Sequence, residues 1–338
     1  MKVYTKNSLN EYQLSLTYDD ISLIPTQVSR IKSRKEVDTT SRLMGIKLSL
    51  PVLSSPMESV TGIEMAKELN NLGCLGIVNR FDSSLDELLQ NGNGTRKIKG
   101  ISIALNTPLD TIKKLSEGRK VVCIDTANAN NREVLKKTES IKNSVDIKVM
   151  VGNIAHGASL KRLVDAGADA VRVGIGSGSV CSTSIQTGIG IGQVSSLLNV
   201  YHAKKEGKFK IEIIADGGIK GAGDIAKAIA LGADGVMLGR LLAGTRETPG
   251  EVIRYNDQLW KKYRGSASFG VKMRNEFIEG EETMVAYKGV VMNVINAISD
   301  GLRSSMSYMN CKTIEDLRQV ETFAILSNYS YLERLPKA

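Results

Sequence analysis

Along the chain, short apolar runs alternate with longer segments whose apolar positions recur at helical spacing. The runs are "LPVLSSPM" (50–57), "CLGIVNR" (74–80), "GISIALN" (100–106), "VVCIDTA" (121–127), "IKVMVGNI" (147–154), "ADAVRVGI" (168–175), "KIEIIADGG" (210–218) and "ADGVMLGR" (233–240). They are continuous and rich in Val and Ile, as strands covered on both faces of a parallel sheet are. Segments between them, such as "IEMAKELNNLG", "GASLKRLVDAG" and "GAGDIAKAIALG", carry an apolar stripe and end in glycine, which accepts the left-handed backbone that closes a helix. Eight strand–helix units predict an α/β chain folded as a (β/α)8 TIM barrel; a doubly wound sheet is the competitor, and eight units favour closure. No repeat or linker divides the pattern, so one barrel domain is expected over residues 1–338.

Polar and special residues gather where each run ends: Ser55-Pro-Met57, Asn79-Arg80, Asp125, Gly152-Asn153, Gly174 onward, Asp216-Gly-Gly218 and Gly239-Arg240. In a barrel those ends share one face, and that face carries the active site. After the eighth run come a Gly/Ser-rich stretch, "YRGSASFG", and a charged one, "VKMRNEFIEGEETMVAYKG". An excursion of this length predicts an active-site lid over roughly 263–289, followed by a C-terminal extension.

Composition narrows the chemistry. With 42% hydrophobic and 24% charged residues the chain reads as a globular protein with a substantial core. It has no apolar run long enough to span a membrane and no charged-then-apolar leader pattern, so a cytoplasmic location and no membrane partner are expected. The net charge of +9 comes from basic residues scattered between apolar segments, with few aromatics, which suits small anions better than nucleic acid. Two histidines, His156 and His202, leave little material for a histidine-based triad. None of the four cysteines forms a CxxC pair; Cys74, Cys123 and Cys311 lie in or beside apolar runs, whereas Cys181 does not.

Two loops carry the candidate chemistry. In "IIADGGIKGAGDIAKAIALGADGVMLGR", Gly217 and Gly218 would let backbone amides approach an anion, and a helix starting near Gly221 to Asp224 would add its first amides. Gly239 and Arg240 would contribute from the eighth strand, with Asp216 placed to accept from ribose hydroxyls. This is where many TIM barrels hold phosphate. The second loop is "GIGSGSVCSTSIQTGIGIG" (174–192). Its glycines predict backbone atoms facing the mouth: carbonyls of Gly176, Gly178 and Cys181 toward a cation, amides near Ser179 toward a phosphate. Cys181 would be an accessible thiol among amides, with Thr183 in hydrogen-bonding range.

The segment "GIGSGSVCST" resembles the cysteine loop of IMP dehydrogenases and GMP reductases. The resemblance continues through "LTYDDISLIP", "SSPMESVT", "CIDTANA", "VGNI", "AGADAVRVGIG", "IIADGGI", "GADGVMLG", "ETPGE", "VAYKG" and "GLRSSMSY", in order over most of the chain. It implies a purine nucleotide, GMP or IMP, and a thioimidate between Cys181 and purine C2. Thr183 and Glu279 would protonate the leaving amine, with Glu281 and Glu282 as rivals to Glu279. Ser179, Gly218, Gly239 and Tyr263 would bind phosphate, and Asp216 the ribose. Ser55, Met57, Ser266, Ala267 and Ser268 would form the base pocket. Asp125, Asn128 and Asn153 would meet the nicotinamide, and Gly176, Gly178 and Cys181 a monovalent cation such as K+. A homotetramer is also implied.

Between the two activities, the absence of an inserted regulatory domain pair and a short lid, "SASFGVKMRNEFI", without an Arg-Tyr dipeptide resemble the compact GMP reductases of Gram-positive bacteria. The expected reaction is NADPH-dependent conversion of GMP to IMP and ammonia. IMP dehydrogenase using NAD, a catalytically silent nucleotide-binding regulator and a generic phosphate-binding barrel enzyme are the alternatives. Three positions depart from the family pattern. Ser177 replaces the usual proline and should loosen the loop; Arg240 stands where glycine or serine is usual; Asn79-Arg80 replaces His-Lys or His-Arg.

Overall fold

A computed structural model describes residues 5–10, 14–90, 98–265 and 281–333. The eight expected strands form, each inside its apolar run: β1 (Val52–Ser54), β2 (Ile77–Val78), β3 (Gly100–Ile103), β4 (Val121–Asp125), β5 (Lys148–Ile154), β6 (Ala170–Val173), β7 (Glu212–Asp216) and β8 (Gly235–Leu238). They pair in parallel around the sheet, and β8 returns to pair with β1. The last seam is a parallel bridge between Leu53 and Leu75, just ahead of β2. Leu75 N–H donates to Val52 O and Ser54 N–H to Leu75 O, both at 3.0 Å. The barrel is thereby closed, as eight units require.

The period-2 alternation of each strand divides its residues between two cores. Leu53, Ile77, Val121, Cys123, Met150, Ala170, Ile214 and Met237 fill the lumen as one buried cluster. The intervening residues, such as Val122, Ile124, Val149, Val151, Val171, Ile213 and Val236, pack outward onto the helices in a second cluster. Full burial of each such side chain stabilises the fold by about 1.5–3 kcal/mol. The same alternation carries the next lumen layer toward the C-terminal face. There it brings Asp125, Gly152, Arg172 and Asp216, so the polar layer rests directly on an apolar floor.

Helices α1 (Ile63–Asn71), α2 (Asp82–Gln90), α3 (Leu109–Ser116), α4 (Arg132–Ser144) and α5 (Leu160–Asp165) follow the first five strands. A short α6 (Thr183–Thr187) and α7 (Gln193–Glu206) follow β6, and α8 (Ala222–Ala230) follows β7. Gly73, Gly167 and Gly232, the glycines that end three of the quoted helical segments, have φ of 74°, 91° and 101°, the left-handed closure their positions predicted. After β8 an antiparallel ribbon rises: β9 (Ile253–Tyr255), β10 (Gln258–Arg264) and β11 (Glu282–Ala286). The span expected as a lid, 263–289, runs from the end of β10 past β11, and its residues 266–280 lie outside the described ones. The helix α9 (Val291–Tyr308) then packs on α8, with Gly301 against Ala222. Near the two ends of the chain, Ile21–Leu23 pairs antiparallel with Phe323–Ile325. Among the described residues no helix is long and apolar enough to cross a membrane.

The opposite end of the lumen is plugged by a hairpin, Ser41–Leu43 with Ile46–Leu48, whose Leu43, Met44, Ile46 and Leu48 join the lumen cluster. Its two-residue turn has positive φ at both Met44 (47°) and Gly45 (77°), the conformation that suits hairpin twist but disfavours a bulky residue. Glu212, at the base of β7, anchors this turn: its two carboxylate oxygens accept Met44 N–H at 2.8 and 2.9 Å. Burial pushes the Glu212 carboxyl from 4.5 up to about 7, against the Met44 hydrogen bond that favours the charge. A carboxyl whose folded-state value is raised favours the folded state most when protonated, so its contribution declines as pH climbs from about 4.5 to about 7. Glu212→Gln should therefore gain in melting temperature relative to the parent protein between pH 5 and pH 8. Parallel melting profiles across that interval would show that Glu212 does not titrate in the folded chain.

Candidate active site

At the C-terminal face the polar layer is built around Arg172. Its side chain rises from β6 in the lumen, nearly buried, with space left by Gly152, where a Cβ would lie 2.5 Å from the Arg172 Cβ. Nη1 donates to Asp125 Oδ1 at 2.7 Å, Nη2 to Asp216 Oδ2 at 2.8 Å and Nε to the same oxygen at 3.1 Å. Arg80 Nε reaches the other oxygen of Asp125 at 3.0 Å. Burial alone would raise the Asp125 carboxyl, but the Arg172 and Arg80 guanidiniums outweigh it and hold the group below its ordinary range. Asn153 Nδ2 donates to Asp216 Oδ2 at 2.8 Å and to Gly174 O at 2.7 Å, tying β5, β6 and β7 together. Asp216 Oδ1 accepts no hydrogen bond among the described residues, and Asp216 stands in the walls of both cavities at this face.

The cysteine loop leaves β6 at Gly174, whose φ of 144° and approach to Asp216 O, 2.0 Å from where a Cβ would sit, admit only glycine. At the position where a proline is usual, Ser177 Oγ donates to Gln193 Oε1 at 2.8 Å, and Gln193 Nε2 donates to Val173 O at 2.6 Å. The hydroxyl thus supplies a hydrogen-bonded strut between the loop and the end of β6. Cys181 N–H closes a turn on Gly178 O at 3.1 Å, and the thiol lies 3.3 Å from Thr183 Oγ1 at the start of α6. Cys181 is half-buried, whereas Cys74, Cys123 and Cys311 are buried and their thiols pushed up to about 12, 11 and 11, chiefly by burial. Only Cys181 opens onto a cavity of this face.

Two adjoining cavities meet along Ser177–Ser179 and Asp216–Gly217. The first, about 340 Å³, has Cys181, Thr183, Asp125, Asn153, Arg80 and Arg172 in its walls. The second, about 400 Å³, is walled by Ser179, Gly217, Gly218, Gly239, Arg240 and Tyr263, with Lys220 and Lys288 at its edge. Ser55 and Met57 border both. Tyr263, on β10, is buried with its hydroxyl 3.3 Å from Ser179 Oγ, and burial raises its phenol above the ordinary value. Gly217 and Gly218 have φ of 104° and 74°, turning the strand-end backbone around the second cavity. The ribbon is tied to the cysteine loop by Glu281 N–H donating to Val180 O at 3.0 Å.

The structure thus gathers Ser55, Met57, Asp125, Asn153, Gly176, Gly178, Ser179, Cys181, Thr183, Asp216, Gly217, Gly218, Gly239, Arg240 and Tyr263 around one mouth. Asn128 is exposed, and its Oδ1 accepts Asn130 N–H at 2.9 Å in a local turn, outside the walls of both cavities. The first residues of α8 do not wall the second cavity either. Asp224 Oδ2 accepts Lys220 N–H at 3.0 Å just ahead of that helix, and the second cavity is walled instead by Gly217, Gly218, Ile219 and Lys220. Ser266, Ala267, Ser268 and Glu279 lie outside the described residues. Of the rivals to Glu279, Glu282 pairs with Arg264 at 2.8 Å. Arg172 and Lys288 were not among the expected site residues, although an arginine inside the apolar run "ADAVRVGI" is itself a signal of a paired lumen charge.

Removing Arg172 leaves two carboxylates facing each other above an apolar floor. Arg172→Met should destabilise the fold by about 3–5 kcal/mol, read as a lower urea midpoint. Because Asp125 is held ionised by its guanidinium partners, the gap to the parent protein should be full above the ordinary value of 3.8 and narrow as pH falls below it. An unchanged midpoint at neutral pH would remove Arg172 from its place as the keystone of the layer.

Comparison with known proteins agrees with this geometry. Residues 15–336 match the family described as "IMP dehydrogenase / GMP reductase domain". The chain is 34% identical to a GMP reductase of Staphylococcus aureus over 319 residues, covering 92% of this chain and 96% of that protein. It is 32% identical to an inosine-5'-monophosphate dehydrogenase of Cryptosporidium parvum, covering 89% and 90%. With that of Aquifex aeolicus it shares 41% identity over 240 residues, 67% of this chain, and the match spans about half (49%) of that relative's length. A closed barrel, a half-buried cysteine on the glycine loop after its sixth strand and a match over nearly the whole sequence lead to one conclusion: this chain belongs to the IMP dehydrogenase/GMP reductase family of oxidoreductases, which act on purine nucleotides.

Proposed function

We propose that the chain is a GMP reductase, converting GMP to IMP and ammonia at the expense of NADPH. The observation that carries this reading is the Cys181 thiol, 3.3 Å from Thr183 Oγ1, in a cavity continuous with a glycine-lined anion pocket. A nucleotide whose phosphate sits among Ser179, Gly218, Gly239 and Tyr263, with its ribose on the open oxygen of Asp216, extends its base toward that sulfur. The short connection between Arg264 and Glu282 favours reduction over oxidation. So does the near full-length match to the Staphylococcus aureus reductase.

In this reading the Cys181 thiolate bonds purine C2, and the 2-amino group takes a proton and leaves as ammonia, giving a thioimidate. Thr183, touching the sulfur, is placed to pass that proton, and the acidic partner that recharges it belongs to the lid. The cavity beside Cys181 has room and polar walls at Asp125 and Asn153 for a nicotinamide, which when bound in reduced form supplies the hydride that replaces sulfur at C2. The C–S bond then breaks and the thiolate is restored. Asp125, locked by two guanidiniums, stays an acceptor throughout. For a monovalent cation, the loop offers the carbonyls of Gly176, Gly178 and Cys181, one of which already accepts Cys181 N–H. No step is derived from such an ion. A homotetramer in the cytoplasm, with the barrel and its lid as one catalytic domain, completes the proposal.

Loss of NADPH absorbance on adding GMP, with IMP and ammonia as products, is the expected result. Formation of XMP from IMP and NAD without NADPH consumption would assign the chain to the dehydrogenases instead. Tight GMP binding without turnover by either route would make it a nucleotide-binding regulator. Cys181→Ser should lower turnover on the order of 10³-fold or more while leaving GMP binding in place. In the parent protein, GMP should leave an adduct on Cys181 detectable by mass spectrometry. Undiminished conversion by the serine variant would overturn the covalent route.

A further inference from the structure

The glycine cradle and the cysteine loop meet directly: a Cβ on Gly217 would lie 2.4 Å from Ser177 Oγ. A third cavity, of about 520 Å³, shares Ser177 with the other two and has Gly176, Gln193 and Gly218 in its walls. Loops bordered by three cavities keep their shape only where packed side chains back them. At Gly218 that backing comes from Tyr18, which is 1% exposed. A Cβ on Gly218 would lie 3.5 Å from Tyr18 Cδ2 and 3.7 Å from Gln193 Cβ, both ordinary van der Waals distances. The ring and Gln193 therefore converge on one residue of the cradle, and Gln193 also holds Ser177 Oγ and Val173 O. The segment carrying the ring is fastened on each side. Leu16 O accepts Val194 N–H at 3.0 Å, and Tyr18 O accepts Lys227 Nζ at 2.8 Å from α8. Thr17 N–H and Oγ1 donate to Asp20 Oδ2 at 2.7 and 2.8 Å. Burial, with the Asp224 and Asp216 carboxylates, holds the Tyr18 phenol well above its ordinary value, so the side chain contributes shape rather than charge.

We propose that Tyr18 is a positioning residue: its ring, with Gln193, fixes Gly218 in place relative to the loop that carries Cys181. A nucleotide whose phosphate sits at Gly218 then brings its base to the sulfur in one geometry. Displacement of the cradle by about 1 Å would misalign the reacting atoms at a cost of about 10²-fold in rate. Tyr18 walls neither of the two cavities that take the nucleotide, so it acts through Gly218 and Gln193. The inference rests on the purine-nucleotide reading of this mouth and holds for either direction of the reaction.

Calorimetric titration of GMP and of IMP into the full-length protein, with no nicotinamide present, tests this apart from turnover. Tyr18→Ala is expected to weaken both nucleotides about tenfold. At saturating nucleotide, iodoacetamide should alkylate Cys181 about fivefold faster in that variant than in the parent protein, because the base no longer covers the sulfur. Peptide mass spectrometry reads that rate. Tyr18→Phe keeps the ring and should restore both quantities to within about twofold of the parent. Tyr18→Leu, which keeps apolar bulk without a flat ring, carries the same test should the alanine variant not fold. A lower melting temperature with affinity and protection unchanged would make Tyr18 merely structural and overturn the proposal. Weaker binding with Cys181 still fully protected at saturation would overturn the link to the cysteine loop. Tyr18→Phe behaving like Tyr18→Ala would also overturn it, by moving the effect from the ring to the hydroxyl. Failure of the parent protein to bind either nucleotide would overturn the purine reading and the positioning role together.

Discussion

A buried arginine between two aspartates organises this protein's reactive face. Parallel strands deliver side chains to a barrel lumen in layers, and above the apolar layer of Cys123, Met150, Ala170 and Ile214 the next one contains Asp125, Arg172 and Asp216. Neither carboxylate would be tolerable there alone, since an unpaired buried charge is strongly destabilising. Together with Arg80 and Asn153 they form a lattice in which each group fixes its neighbours. The loops above inherit that rigidity: Gly174, which starts the cysteine loop, is bonded to Asn153 and packed against the Asp216 backbone.

Much of this architecture was legible in the amino-acid sequence, for physical reasons. Val- and Ile-rich runs identify buried strands because parallel strands have no wet face, and glycines at 73, 167 and 232 mark helix ends because left-handed backbone selects them. Cys181 stood out by its neighbours, since a thiol among glycines and hydroxyl residues has no apolar packing role. Arg172 was harder to place. A single cation in an apolar strand signals a partner, but Asp125 and Asp216 are distant in sequence and meet it only once the barrel closes. The place of the α8 N-terminus was equally hidden: the end of β7 and the first turn of α8 lie close in sequence, yet it is the Gly217–Lys220 stretch that walls the second cavity.

The departures from the family pattern show how local substitutions are absorbed. Ser177 stands where a proline is usual, and its hydroxyl connects the loop to Gln193, which in turn grips the Val173 carbonyl. A covalent restraint on one dihedral is exchanged for a hydrogen-bonded one that depends on α7 being in register. Arg240 is different, because nothing acidic among the described residues neutralises it. One substitution is compensated inside the protein, and the other leaves an exposed charge in the wall of the second cavity.

The pairing of Ile21–Leu23 with Phe323–Ile325 has a bearing on how the molecule comes together. Nearby, Tyr18 O accepts Lys227 Nζ at 2.8 Å and Leu16 N–H donates to Ser195 Oγ at 2.8 Å, so the earliest segment is threaded under the elements that carry the reactive loops. Contacts of such sequence separation raise contact order and slow assembly. During synthesis the ladder that fastens Ile21–Leu23 can form only once Phe323–Ile325 has emerged, so the segment beside the reactive loops is secured after all eight barrel strands have been made.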